Sequence, residues 1–111
     1  MEWVDEVKEM GKEMGDVEVY VDGKAVFIHK PMQPHILAHS AIKVTEVKEN
    51  IFEVQANIVV RNEDVSKISR LGITVYSYTL DGQHNIANFS LVVSSKERLQ
   101  KVLSTISEVS I

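Results

Sequence analysis

The stretch that decides the fold is residues 51–60, IFEVQANIVV, in which apolar and polar side chains alternate. One set of alternate positions holds only apolar residues, namely Phe52, Val54, Ala56, Ile58 and Val60. Between them stand the polar residues Glu53, Gln55 and Asn57. This period of two predicts a β-strand with one buried and one wet face, which is typical of an antiparallel sheet with helices on a single side.

The sequence after this strand predicts a short helix, two strands and a longer helix. Residues 62–72, NEDVSKISRLG, suit a short helix with Asn62 as its N-cap and Gly72 at its end. Residues 73–80 and 85–93 suit two strands joined by a tight turn around Asp81-Gly82. Ser95 is the predicted N-cap of a helix whose apolar stripe contains Leu99, Val102, Leu103 and Ile106. From residue 51 the order is therefore βαββα, with only VSI (109–111) left for a last strand, as in a ferredoxin-like split βαβ unit.

The sequence before this strand predicts a helix and a hairpin. In residues 2–14, Trp3, Val7, Met10 and Met14 recur at three- and four-residue steps and form one apolar stripe. Residues 17–29 then alternate around Asp22-Gly23, which predicts a two-residue turn. We expect the glycines of both hairpin turns, Gly23 and Gly82, to need positive φ.

Residues 34–48 allow two interpretations. The first is a short helix beginning near Pro34, followed by a strand from Ile42 to Val47. The second is one continuous helix. The β-branched residues near the end of the segment favour the first interpretation.

Size and composition predict one α+β domain, residues 1–111, in which 1–50 form an N-terminal extension and 51–111 the core. The net charge is −4 and no basic cluster is present, so we expect no nucleic-acid partner. The chain has no cysteine, no apolar run of bilayer length and an acidic, amphipathic N-terminal stretch. We therefore expect a cytoplasmic protein with no membrane partner.

Residues 68–109 resemble the second half of an ACT domain. In that family a helix ends in a small-residue turn and runs into a strand, as RLGITV (70–75) does here. A strand ending in Val-Val then leads into a helix opened by Ser or Asp, as in LVVSSKERLQKVL (91–103). The resemblance implies a ferredoxin-like regulatory module that binds amino acids at a dimer interface and controls enzymes of amino-acid metabolism.

The resemblance also implies a ligand site at the turn between the first core strand and the helix, at Arg61, Asn62, Glu63 and Asp64. ACT domains that bind amino acids usually carry an Asp-x-Pro-Gly-like turn there, whereas VRNEDVSK (60–67) has neither Pro nor Gly. Helix N-terminal N–H groups can hold a ligand carboxylate. Glu63 and Asp64 would repel it, so the resemblance predicts the fold more directly than the ligand.

A second layout uses the continuous helix over 34–48. The order then becomes α-β-β-α-β-β-β-α with residues 61–72 as an insertion, which looks like the roadblock and longin type of small scaffold or adaptor protein. In that case the function would be docking on a partner protein.

Three histidines are the candidates for a metal site, since His35 and His39 stand four apart and His29 precedes them. A metal-binding protein is thus a further alternative. No Glu follows His35 in an HExxH pattern, so we expect His29, His35 and His39 not to converge on a metal. The sequence has no nucleophile elbow, no cysteine and no phosphate-binding glycine loop. We therefore expect a protein that is not an enzyme and has no cofactor.

Tyr76 and Tyr78 share one face of a predicted strand and are the candidate interface residues. An open sheet leaves edges that need cover, and aromatic side chains are enriched at interface centres. The sequence thus predicts a homodimer, and the function that fits it is a non-catalytic regulatory or interaction module acting through self-association.

Overall fold

The computed structural model describes residues 2–111. The helices are α1 (Glu2–Lys12), α2 (Val65–Ser69, entered through a 3-10 turn at Asn62–Asp64) and α3 (Lys96–Val109). The strands are β1 (Glu18–Asp22), β2 (Ala25–Lys30), β3 (Ser40–Lys48), β4 (Ile51–Arg61), β5 (Tyr76–Thr79) and β6 (His84–Val93). No helix within residues 2–111 is long and apolar enough to cross a membrane.

All six strands belong to one antiparallel sheet in the order β1-β2-β3-β4-β6-β5. The helices cover one of its faces. The predicted stripe of β4, from Phe52 to Val60, is buried there together with apolar residues of α1 and α3. The predicted α+β class, with an antiparallel sheet and helices on one side, is confirmed.

The β4-α2-β5-β6-α3 segment forms the predicted split arrangement, because β6 lies between β4 and β5 in the sheet. On the other side of β4, Ser110 forms an antiparallel bridge with Val60. The Ile111 N–H also donates to the Val59 carbonyl at 2.9 Å. The remnant of a last strand therefore pairs where a ferredoxin-like sheet places its fourth strand.

The two predicted amphipathic helices are confirmed. In α1, Trp3 and Val7 are buried, and the Trp3 ring packs on Phe52 with 5.2 Å between ring centroids. At the start of α3, the Ser95 hydroxyl accepts a hydrogen bond from the Arg98 N–H at 3.1 Å. This side-chain cap satisfies one of the N–H groups that a helix N-terminus leaves free.

The segment before β3 differs from both interpretations of its sequence. Residues 31–39 contain only a turn at Pro34-His35, and His35 has φ +72°, which no right-handed helix accommodates. The short helix is therefore wrong. The strand is confirmed and longer than expected, since β3 starts at Ser40 and buries Ile42 and Val44. A helix over 34–48 is wrong too, and with it the α-β-β-α-β-β-β-α layout.

The two hairpin turns differ from each other. The first is the expected two-residue loop with positive φ at Gly23 (+60°), but it consists of Gly23-Lys24 and not Asp22-Gly23, because Asp22 pairs with Ala25. The loop between β5 and β6 is longer, because the Leu80 and Asp81 N–H groups both donate to the His84 carbonyl. Gly82 does not have positive φ, so the expectation for that glycine is wrong.

Candidate functional site

The face of the sheet opposite the helices is open, and the register aligns its side chains into rows. One row runs from β1 to β6 through Tyr20, Phe27, Lys43, Gln55 and Ser90. The next runs from β1 to β5 through Glu18, His29, Ala41, Asn57, Asn88 and Tyr76. The polar side of β4, predicted to be wet, therefore forms the middle of a surface six strands wide.

All residues of these rows except Glu18 line a groove of about 760 Å³. On one side, the rings of Tyr20 and Phe27 stack with centroids 4.9 Å apart and an interplanar angle of 9°. On the other side lies Tyr76, joined by Ile73 and Thr74. The floor between them carries amides, and the Asn88 Nδ2 donates to the Asn57 Oδ1 at 3.4 Å.

The groove contains one permanent charge. Lys43 is half-buried and its Nζ lies 5.4 Å from the Phe27 ring centroid. None of the lining residues found in residues 2–111 is an Asp or Glu, although the chain has 16 acidic residues. At the rim, the Glu18 Oε2 lies 3.6 Å from the His29 Nδ1. The groove is thus an amide-rich surface with a single cation in a protein of net charge −4.

The predicted interface residues lie at one edge of this face. Tyr76 and Tyr78 are 71% and 59% exposed, and the four residues of β5 are all exposed. Strand β5 is an edge strand that pairs with β6. Nothing among residues 2–111 pairs with its outer backbone groups as a further strand.

The structure brings two of the three candidate histidines together. The rings of His29 and His39 meet edge to face with centroids 4.9 Å apart, whereas His35 lies in the exposed turn. Residues 2–111 include no cluster of three or more His, Asp or Glu side chains arranged to hold a metal ion.

The candidate ligand residues lie at one end of the sheet. Arg61, Asn62 and Glu63 line a small polar cavity of about 360 Å³, whose other wall is formed by residues 82–84. The Asn62 side chain is not the expected helix cap, because its Nδ2 donates to the Gly82 carbonyl at 3.1 Å. It also accepts a hydrogen bond from the Asn85 amide. These bonds tie the start of α2 to the β5–β6 loop.

Asp64 is buried away from this cavity between two cations. Its carboxylate lies 3.3 Å from the Lys67 Nζ and 3.8 Å from an Arg61 nitrogen. The hydrogen bond to Asp64 raises the pKa of Lys67 above its ordinary value. The negative charge expected to repel a ligand at Asp64 is therefore neutralised within the fold.

Asp81 and His84 form a cluster that the sequence analysis did not single out. The Asp81 Oδ1 accepts from the Gln83 and His84 N–H groups at 2.8 and 2.9 Å, and the His84 Nδ1 lies 3.0 Å from both carboxylate oxygens. The hydrogen bond from the Gln83 N–H, with that from His84, lowers the pKa of Asp81. The signal in the sequence was the Asp-Gly pair followed by a histidine, which marks a side-chain-capped turn.

The groove residues were missed for a different reason. Phe27, Lys43 and Asn88 stand on three separate strands, and only the register of the sheet places them side by side. The alternation in β4 showed which face would be wet, but no pattern in one strand identifies its neighbours.

Comparison with known proteins adds no evidence about function. No protein-family model matches the chain, and no curated protein and no solved structure gives a significant match.

Proposed function

We propose that this protein is a non-catalytic interaction module that acts by self-association, through antiparallel pairing of β5 with β5 of a second copy. The observation that carries the proposal is the uncharged, exposed edge of the sheet at β5. The regulatory role implied by the ACT-like resemblance belongs to the same proposal, because that resemblance implies a ligand site at a dimer interface.

The β5 edge lacks the features that keep edge strands apart. Residues 73–80, ITVYSYTL, carry no charge and no proline. Natural edge strands that stay unpaired usually bear lysine, proline or a bulge, because their free N–H and C=O groups otherwise accept another strand. Two copies paired here would form one continuous sheet about a two-fold axis.

The other edge of the sheet is protected. Strand β1 has an acidic residue at each end, Glu18 and Asp22, and its Val19 side chain packs toward the core, as does Val17 just before the strand. In a two-fold antiparallel pair these carboxylates would approach those of the second copy. Like charges placed opposite each other destabilise strand pairing, so β1 is the less suitable edge.

The exposed tyrosines strengthen the choice of β5. Tyr76 and Tyr78 point to the open face, where cross-strand aromatic neighbours contribute about 0.2–1 kcal/mol per pair. Tyr76 also lines the groove, so self-association would bring the grooves of two copies next to each other.

The test is light scattering at micromolar concentration on wild type and on a Tyr76→Glu, Tyr78→Glu variant. We expect a dimeric wild type and a monomeric variant, because four carboxylates would then meet at the two-fold axis. The matched control is Tyr20→Glu on the opposite edge strand, where the tyrosine is 54% exposed. A monomeric wild type contradicts the proposal, and a variant that stays dimeric places the interface elsewhere.

A further inference from the structure

We propose that the groove on the open face binds a small aromatic anion, meaning a molecule with a planar ring and one carboxylate or similar group. This inference concerns ligand binding and does not depend on self-association. It rests on the aromatic wall, the single cation and the amide floor of the groove.

The aromatic wall supplies a stacking surface. Tyr20 and Phe27 lie parallel on neighbouring strands, and Tyr20 is 54% exposed despite its size. Aromatic side chains prefer offset stacked or edge-to-face partners at ring separations of about 4.5–7 Å. A ligand ring packed against this pair would remove apolar surface from water that the protein itself leaves uncovered.

Lys43 supplies the charge that selects an anion. Its ammonium has no carboxylate within ion-pair distance among residues 2–111. Four other lysine or arginine side chains there do have one, namely Lys12, Arg61, Lys67 and Lys96. Its Nζ lies over the Phe27 ring, 5.4 Å from the centroid, so an anionic group bound at the edge of the aromatic wall can pair with it. Because no Asp or Glu of residues 2–111 lines the groove, no carboxylate of this part of the chain repels an anion there.

The amides of the floor can satisfy the polar edge of such a ligand. Gln55 is exposed to solvent, and Asn57 and Asn88 share one long bond of 3.4 Å. Amide side chains both donate and accept, so they suit a carboxylate oxygen or a ring N–H equally.

The same features argue against two other ligands. A free amino acid carries an ammonium group, and the groove offers it no carboxylate. A nucleic-acid strand needs a row of cations along its phosphates, and the groove has one lysine. The volume of about 760 Å³ falls in the range of small-molecule sites.

The experiment is a two-by-two comparison of ligand charge and protein charge. The probes are indole-3-acetate and its neutral amide, indole-3-acetamide, titrated by NMR into wild type and Lys43→Gln. We expect the acid to bind wild type about fivefold more tightly than the amide, as for a partly exposed charge pair. In Lys43→Gln that preference disappears while binding of the amide is unchanged.

Two further proteins complete the design. Lys48→Gln changes a lysine on the same strand outside the groove, and it should keep the preference for the acid. Tyr78→Glu changes the β5 edge but no lining residue, and it should bind the acid like wild type, so failures of groove binding and of self-association give separate results. The inference is overturned by equal binding of acid and amide, by shifts outside the groove, or by no binding at millimolar concentration.

Discussion

At the scale of single residues, the hydroxyl of Ser40 joins three parts of the chain. Ser40 is 1% exposed at the start of β3, and its Oγ accepts a hydrogen bond from the Val59 N–H at 2.9 Å. The same oxygen lies 3.4 Å from the Ser110 hydroxyl and 3.5 Å from the Ile111 carbonyl. A side chain thus replaces a backbone acceptor at the point where β4 changes partner from β3 to Ser110.

Ser40→Ala should therefore lower the free energy of unfolding by about 1–3 kcal/mol, because it leaves the buried Val59 N–H without an acceptor. Urea denaturation measures the change. The control is Ser90→Ala, at an exposed position of β6, which should stay within about 0.5 kcal/mol of wild type. Equal effects of the two substitutions would show that the Val59 bond does not stabilise the fold.

The two hairpin glycines form a second matched pair. Neither would bring an added Cβ within 4 Å of another atom, so only the backbone distinguishes them. Gly23→Ala should destabilise by about 1 kcal/mol, because Gly23 has φ +60°. Gly82→Ala should be neutral or stabilise the fold by up to about 1 kcal/mol, because alanine lowers the conformational entropy of the unfolded chain. Thermal unfolding measures the stability of both variants. A loss of stability in Gly82→Ala as large as in Gly23→Ala would contradict the φ angles of the two glycines.

At the scale of elements, the β5–β6 loop depends on the charge of Asp81. Its pKa is lowered from the ordinary 3.8 by the hydrogen bonds from Gln83 and His84. A depressed folded-state pKa gives stability that is present above the unfolded value and lost as pH falls through the folded value. The loop should therefore weaken below about pH 4.

Asp81→Asn keeps an oxygen that accepts from the Gln83 N–H and removes only the charge. We expect the variant to be less stable than wild type at neutral pH. The difference in stability should become smaller as pH falls below about 4, because Asp81 then loses its charge in wild type as well. Melting temperatures across this pH range provide the measurement, with Asp22→Asn in the other hairpin as control for loss of a surface charge. A gap that stays constant with pH would mean that the Asp81 charge has no stabilising role.

The sequence predicted an element correctly where a local pattern is enough to define it. The stripe of β4 and the Ser95 cap of α3 follow from local rules, and both are present. The failures lie in residues 31–39 and at Gly82, where the conformation depends on a left-handed His35 and on a loop capped by Asp81. The Asp81 cap reaches residues only two and three positions away, so the sequence contained its signal without showing that it frees Gly82 from positive φ. The left-handed conformation of His35 has no such signal in the sequence.

At the scale of the whole molecule, the groove shows the limit of reading strands one at a time. Its wall comes from β1 and β2, its cation from β3 and its amides from β4 and β6. The sequence predicted that Gln55 and Asn57 would be wet, but not that Lys43 and Phe27 lie next to them. The exposure of Tyr76 and Tyr78 was easier to predict, because two aromatic residues at alternate positions of an uncharged strand are a local signal.

The central claim is that two copies pair through β5, and intermolecular contacts test it most directly. In an equal mixture of isotope-labelled and unlabelled protein, isotope-filtered NMR detects only contacts between copies. We predict such contacts between backbone protons of residues 76–79, arranged antiparallel about a two-fold axis. Contacts confined to another element, or none at millimolar concentration, would contradict the claim.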